Sequence, residues 1–148
     1  MQLEWTLKKF DDLTPSELYN ILRLRSEVFV VEQNCVFLDM DNKDQSCHHL
    51  MGCYDNELVV YVRLVPAKLT YDEISIGRVV SSPKYRGTGV GRILMLKAID
   101  CCAELFGQQP IRIGAQLYLK DFYNSLGFQQ VGDVYLEDGI EHIYMIKT

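Results

Sequence analysis

Arg86-Gly87-Thr88-Gly89-Val90-Gly91-Arg92 is the segment of the sequence that decides the fold. It follows a predicted β-strand over Glu73–Ser81, and the apolar pattern from Val90 to Phe106 predicts that it opens an amphipathic helix. The first turn of a helix offers unpaired N–H groups and a partial positive charge, which together attract phosphate. Alternating glycines remove the Cβ atoms that would hold a phosphate away from the backbone, and the two arginines add charge-assisted donors. The segment therefore predicts a loop that binds a small polyanion.

Two other phosphate-binding loops do not fit this segment. A dinucleotide loop needs the spacing Gly-x-Gly-x-x-Gly and an acidic residue at the end of the next strand, which here ends in Ala115-Gln116. A nucleoside-triphosphate loop needs Gly-Lys followed by Ser or Thr, and the segment has neither. A plain glycine turn remains the alternative on local grounds, although three alternating glycines beside two arginines disfavour it.

The rest of the chain predicts strands and helices in alternation. Thr14-Pro15-Ser16-Glu17 has the capping box and early proline of a helix start, and this helix is expected to run to about Val31. Arg25 falls in the middle of its apolar stripe, where a charge must find a partner or a ligand. Strands are predicted at Leu3–Phe10, Cys47–Tyr54, Glu57–Val65, Glu73–Ser81, Ile111–Ala115, Phe128–Leu136 and Ile140–Lys147, with a short helix at Leu117–Leu126. The order indicates an α/β (α+β) fold with a mixed sheet and helices packed on its faces.

Composition limits the class of protein. The 148 residues are 48% apolar and 24% charged, which is typical of one soluble globular domain spanning residues 1–148. No apolar run approaches the ~20 residues that a bilayer requires, so we expect no membrane association. An odd count of five cysteines predicts no disulfide framework and favours a cytoplasmic protein. A net charge of −5 with scattered basic residues argues against nucleic-acid binding. The acidic stretch Asp39–Asp44 lacks the glycine and terminal glutamate of a calcium loop, and we expect no metal.

The motifs together resemble a known family. Arg86–Gly91 has the form Arg-x-x-Gly-x-Gly after a strand, as in the GNAT acetyltransferases, and the match continues through Ala115-Gln116, Phe122-Tyr123 and Gly127-Phe128. Arg25–Gln33, Gly77-Arg78-Val79 and Glu137–His142 resemble the narrower ElaA-like subfamily. The resemblance covers nearly the whole chain. It implies the GNAT fold, a mostly antiparallel sheet of six or seven strands that splays between the fourth and fifth strands.

The resemblance also implies site residues. Pantetheine of acetyl-coenzyme A would pair with the fourth strand, and the pyrophosphate would meet the glycine loop; the implied donor-binding residues are Val79, Val80, Ser81, Arg86, Gly87, Thr88, Gly89, Val90, Gly91 and Arg92. Tyr123 would give a proton to the departing thiolate. Glu32 is the candidate general base, although a structural Arg25–Glu32 pair is an equal alternative. Arg25, Arg78 and His142 are candidates for binding the acceptor, with Arg25 or Arg78 holding an acceptor carboxylate.

These inferences predict an N-acetyltransferase that moves an acetyl group from acetyl-coenzyme A to the amine of a small molecule or peptide by direct attack. The alternatives are transfer of a longer acyl chain, since the helix that begins at Thr14 also resembles acyl-homoserine-lactone synthases, and a coenzyme A-binding module without turnover. Strands at the sheet edge would permit a homodimer.

Overall fold

A single seven-stranded sheet organises the protein, and the computed structural model describes all 148 residues. The strands lie in the order β1-β2-β3-β4-β5-β7-β6, and every pair is antiparallel except β4–β5. The strands are β1 Glu4–Lys9, β2 His48–Tyr54, β3 Glu57–Val65, β4 Ile74–Ser81, β5 Ile111–Gln116, β6 Gln129–Glu137 and β7 Ile140–Lys147; the helices are α1 Pro15–Arg25, α2 Val90–Phe106 and α3 Lys120–Asn124. None of the helices combines the length and the apolar character needed to span a bilayer.

Helix α1 begins as the sequence predicts. The Glu17 N–H donates to Thr14 Oγ1 at 3.1 Å, and the Thr14 N–H donates to Glu17 Oε1 at 2.9 Å, so both halves of the capping box form. Beyond Arg25 the chain widens into a π-helix over Ser26–Glu32 instead of continuing as an α-helix. Wide turns of this kind re-aim side chains and are frequent at functional sites.

Helices pack on both faces of the sheet. Leu94, Met95 and Ala98 of α2 lie in the larger core with alternate residues of β3 such as Val62, while Ile21 of α1 lies in a separate core on the opposite face with Tyr61. The alternation of side chains along β3 therefore separates the two cores.

One residue of β3 faces the opposite way from what the alternating apolar pattern of this strand predicts. The sequence pattern places Leu58, Val60, Val62 and Leu64 on one face, but Leu58 packs in the α1 core. The cause is a bulge: Gly52 pairs with Val60 and Cys53 pairs with Leu58, so Val59 is an extra residue. A single inserted residue reverses the face of everything on one side of it.

The sheet splays between β4 and β5, which confirms the predicted fold class. These strands pair only at Ile74–Ile111 and Ser75–Arg112. Beyond Ser75, β4 also carries a bulge against β3, where Arg78 adopts a φ of 51°. The far half of β4 therefore has no partner on its β5 side, and a cleft opens there.

Candidate active site

The glycine loop forms the entrance to α2. Gly87 and Gly89 have φ angles of 79° and 81°, in the left-handed region, and Gly89 directly precedes the first residue of the helix. A Cβ on either glycine would meet no atom within 4 Å. The backbone conformation, rather than packing, therefore requires glycine here, and the space in front of the first N–H groups stays open.

A cavity of about 410 Å³ extends from this loop into the cleft. Five of the predicted donor-binding residues line it, namely Val79, Val80, Ser81, Arg86 and Gly91. The other five predicted residues do not line it. Gly87, Thr88 and Gly89 lie in the loop itself, Val90 is buried in the core beneath the loop, and Arg92 donates to Ser125 Oγ at 2.9 Å. We refer to this space as the donor cavity.

A second cavity, of about 170 Å³, lies further along the splay and is referred to as the acceptor cavity. It is lined by β4 and β5, by the segment after the π-helix, and by the β6–β7 turn. The two cavities share six lining residues, Phe29, Gln33, Val79, Gln116, Leu119 and Tyr123. A group placed among these six residues can be reached from both sides.

Tyr123 lies at this junction, where the resemblance places the proton donor. Its side chain is 6% exposed and packs edge-on against Phe122 and Phe128, with ring centroids 5.1 Å and 6.0 Å away. Burial, with a smaller contribution from Tyr118, raises the pKa of the Tyr123 phenol to about 12. The phenol is therefore neutral at physiological pH and carries a proton that it can donate.

Arg25 does not face either cavity, and its predicted role in holding an acceptor carboxylate disagrees with the structure. Its side chain is fully buried, with Nε 2.8 Å from Asp39 Oδ2 and Nη1 2.8 Å from Asp44 Oδ1. Nη2 also donates to the Asp39 carbonyl oxygen at 3.3 Å. The charge on the apolar stripe of α1 thus finds protein partners, as burial demands, and these are not Glu32.

Arg63 extends this arrangement into a network. It donates to both carboxylate oxygens of Asp41 at 2.8 and 2.9 Å and to Asp44 Oδ1 at 3.0 Å. Burial alone would raise the pKa of Asp44, but the hydrogen bonds and charges of Arg25 and Arg63 outweigh it and hold that pKa below its usual value. The same competition, led by Arg63, holds the pKa of Asp41 well below its usual value.

Arg78, at the bulge of β4, joins the network from the edge of the acceptor cavity. Its Nη2 donates to the Asp39 carbonyl oxygen at 2.9 Å and to Asp41 Oδ2 at 3.4 Å. Its Nε lies 2.9 Å from Asp39 Oδ1 but outside hydrogen-bonding geometry, so this contact is purely electrostatic. The side chain is 25% exposed and lines the cavity. Arg78 could therefore bind an acceptor only through guanidinium N–H groups that Asp39 and Asp41 do not already engage.

Sequence reasoning missed this network of three arginines and three aspartates. Within the polar loop Asn34–Ser46 it tested the acidic stretch Asp39–Asp44 as a calcium site and not as a set of partners for buried arginines. Two signals were available: Arg25 on an apolar helix face and Arg63 within an apolar strand, each demanding an acidic partner. Nowhere in the structure do three His, Cys, Asp or Glu side chains form a group suited to hold a metal ion.

Glu32 lies at the donor cavity and not at the acceptor cavity. Its carboxylate pairs with the guanidinium of Arg86 through contacts of 2.6 and 2.7 Å. This hydrogen bond raises the pKa of Arg86. The position and the pairing both argue against Glu32 as the general base, and they leave Arg86 bridged to the π-helix across the donor cavity.

His142 lines the acceptor cavity, as its predicted role requires. It is 9% exposed, its Nδ1 is 2.7 Å from the Ile140 carbonyl oxygen, and its Nε2 is 3.5 Å from Glu137 Oε2. The β6–β7 turn at Asp138-Gly139 brings Glu137 beside it. The acceptor cavity therefore contains a histidine beside a carboxylate.

Comparisons with known proteins agree with this geometry. The family model described as "Acetyltransferase (GNAT) domain" matches residues 15–148. The Escherichia coli protein ElaA is 41% identical over 147 residues, covering 98% of this chain and 96% of its own. A Pseudomonas aeruginosa acyl-CoA N-acyltransferase is 43% identical with a TM-score of 0.95, covering 99% of this chain and all of its own. A GNAT acetyltransferase from Elizabethkingia anophelis with acetyl-CoA bound has the same fold, with 18% identity, a TM-score of 0.65 and 97% of each chain covered.

Proposed function

Because this chain belongs to the GNAT acetyltransferase family and to its ElaA-like branch, we propose that it transfers an acetyl group from acetyl-coenzyme A to a primary amine. The observation that carries the proposal is the position of Tyr123. Its buried neutral phenol lines both the donor cavity, into which the glycine loop opens, and the acceptor cavity. The first cavity suits a long thiol ester, and the second suits the molecule that attacks it.

The donor side is supported by charge and open backbone. The pyrophosphate would meet the N–H groups at Gly89–Gly91 and the positive end of α2, an anion site of the kind that helix N-termini supply. Arg86 is the cation beside it, and it would exchange its contact with Glu32 for phosphate oxygens. The pantetheine amides would pair with the half of β4 that β5 leaves unpaired, at Val79–Ser81.

The chemistry then needs three contributions from the protein. The cleft holds the amine and the thioester carbonyl in contact, which removes the entropy cost of their encounter. The backbone N–H near Val80 or Ser81 would stabilise the oxyanion. The Tyr123 phenol would protonate the sulfur as the carbon–sulfur bond breaks. The buried thiols of Cys47 and Cys102 take no part, since burial raises the pKa of Cys47 to about 11 and that of Cys102 to about 12.

Ligand-dependent stability tests the donor site. Thermal unfolding is measured with acetyl-coenzyme A, coenzyme A, ATP and NAD in parallel. A ligand at ~100 times its dissociation constant should add about 2.7 kcal/mol of stability. We expect shifts with the two coenzyme A species alone. Equal shifts with ATP or NAD, or none with acetyl-coenzyme A, would contradict the proposed donor site.

Tyr123→Phe tests the acid, with Tyr19→Phe as the control because Tyr19 is 69% exposed on α1 and lines neither cavity. Loss of a general acid should lower kcat by about 100-fold or more while leaving the affinity for acetyl-coenzyme A unchanged. Equal kcat in the two variants would remove Tyr123 from the mechanism. Comparing acetyl-, butyryl- and hexanoyl-coenzyme A as donors distinguishes acetyl transfer from transfer of a longer chain.

A further inference from the structure

Among the charged groups that line the acceptor cavity, the carboxylates have no lysine or arginine partner, whereas the one arginine is already paired. Four lining residues can carry charge: Arg78, Glu137, Asp138 and His142. Arg78 is committed to Asp39 and Asp41, whereas neither Glu137 nor Asp138 pairs with any lysine or arginine. The cavity therefore presents free carboxylates and no free cation. A ligand ammonium is attracted to such a site, and a ligand carboxylate is repelled.

The other lining groups are largely apolar. Phe29, Phe37, Ile113, Leu119 and Ile140 contribute to the walls, and the volume is about 170 Å³. Apolar walls gain free energy by covering an apolar ligand body. A cavity of this size suits one ring or a short alkyl chain.

The contacts of His142 decide its tautomer. Its Nδ1 is 2.7 Å from the Ile140 carbonyl oxygen, which can only accept a hydrogen bond, so Nδ1 must carry the hydrogen. In the neutral ring Nε2 is therefore unprotonated, and it lies 3.5 Å from Glu137 Oε2. The ring of Tyr135 packs against the imidazole at a tilt of 31°, with ring centroids 5.7 Å apart. Nε2 is therefore the ring nitrogen that is free to accept a proton.

We propose that the acceptor is a primary amine on a short apolar or aromatic body without a carboxylate, drawn in by Glu137 and deprotonated by His142 Nε2. The proposal rests on the acetyltransferase function proposed above. The ammonium gives one proton to Nε2, and the free amine attacks the thioester carbonyl. The new carbon–nitrogen bond forms, the carbon–sulfur bond breaks, and the sulfur takes a proton from Tyr123. The nitrogen gives up its second proton on forming the amide and restores the phenol, so one proton leaves through His142.

The acceptor class is tested with a matched pair of amines. Turnover of acetyl-coenzyme A is followed with 2-phenylethylamine and with phenylalanine, which has the same body plus a carboxylate. We expect kcat/KM to be about 100-fold higher for 2-phenylethylamine, because the carboxylate meets like charge. Comparable or reversed values would overturn the acceptor class.

The role of His142 is tested with His142→Gln, and His48→Gln is the control because His48 packs against Phe106 on the α2 side of β2. We expect kcat for 2-phenylethylamine to fall by about 100-fold in His142→Gln alone. With 2,2-difluoro-2-phenylethylamine, whose fluorines make the ammonium much more acidic, the deficit should shrink because the amine is already largely neutral. A deficit of the same size for both amines would assign His142 a structural role and overturn its role as the base.

Glu137→Gln and Glu141→Gln form a second matched pair on the same β6–β7 hairpin. We expect KM for 2-phenylethylamine to rise only in Glu137→Gln; a rise in both or in neither would refute attraction by Glu137. Failure of the inference and failure of the proposed function remain distinct. If the protein binds acetyl-coenzyme A but acetylates only carboxylated amines, the inference fails and the proposed function stands. If it does not bind acetyl-coenzyme A, the proposed function fails as well.

Discussion

Arg25→Met is the change that tests most directly whether the buried network holds the protein together. Methionine and arginine have similar helix propensities, so the substitution leaves α1 intrinsically intact. It removes a fully buried guanidinium and leaves two aspartates without one of their partners, Asp39 and Asp44. Arg23→Met is the control, because Arg23 lies on the same helix with its side chain 66% exposed and pairs only with Glu27, at 3.4 Å.

The expected magnitude follows from burial. Breaking a buried ion pair by removing one partner costs about 3–5 kcal/mol, since the remaining charge stays buried without compensation. Exposed pairs one helical turn apart contribute about 0.3–0.5 kcal/mol. For a domain of this size, Arg25→Met should therefore lower Tm by about 6–20 °C, and Arg23→Met by about 2 °C or less.

Urea unfolding at pH 7, followed by circular dichroism, measures both variants. The native baseline must be retained, so the experiment is run at low temperature to keep Arg25→Met folded at zero denaturant. A loss below about 1 kcal/mol in Arg25→Met would refute the assignment of Arg25 to a stabilising network. If Arg25→Met left stability unchanged and raised the KM for the acceptor, Arg25 would instead be assigned to acceptor binding.

Three further predictions concern the donor loop, the Glu32 contact and pH. Gly89→Ala forces a side chain into the left-handed region, at about 1–2 kcal/mol, and should raise the acetyl-coenzyme A dissociation constant about tenfold by calorimetry; an unchanged constant would contradict the loop argument. Glu32→Gln should release Arg86, tighten acetyl-coenzyme A binding and leave kcat nearly unchanged, whereas a 100-fold loss of kcat, about the cost of removing a general base, would make Glu32 the base after all. The folded-state pKa values of Asp41 and Asp44 lie below their unfolded value of about 3.9, so their stabilisation is complete above that pH and is lost as pH falls through the folded values. Urea unfolding between pH 6 and pH 3 should show this loss, and Asp44→Asn should flatten it; a pH dependence that Asp44→Asn leaves unaltered would contradict the assignment.

The elements predicted correctly are those that depend on residues close together in the sequence. The helix Val90–Phe106 has the predicted bounds, and the capping box at Thr14 and the cleft beside β4 are present. These features depend on residue periodicity, on turn chemistry within a few positions, or on the family resemblance.

The errors arose where distant parts of the chain meet. Arg25 is 14 residues from Asp39, and Glu32 is 54 residues from Arg86, so no local spacing marks either pair. The bulge at Val59 reversed the face of Leu58 because a single unpaired residue leaves no trace in an alternating apolar pattern. The π-helix after Arg25 was missed for a similar reason, since its residues also suit an α-helix.

The acidic loop also bears on the order in which the protein folds. Its aspartates join residues from 14 to 39 positions away, on three different elements, and no regular hydrogen-bonded structure beyond one short 3₁₀ turn holds the loop otherwise. Closing such long loops is entropically costly until the sheet that supplies the arginines exists. We therefore expect the loop to dock after the folding transition state, so that substitutions in it speed unfolding and leave the folding rate unchanged. The loop that holds Arg78 at the edge of the acceptor cavity would then be the last part of the protein to assemble and the first to open.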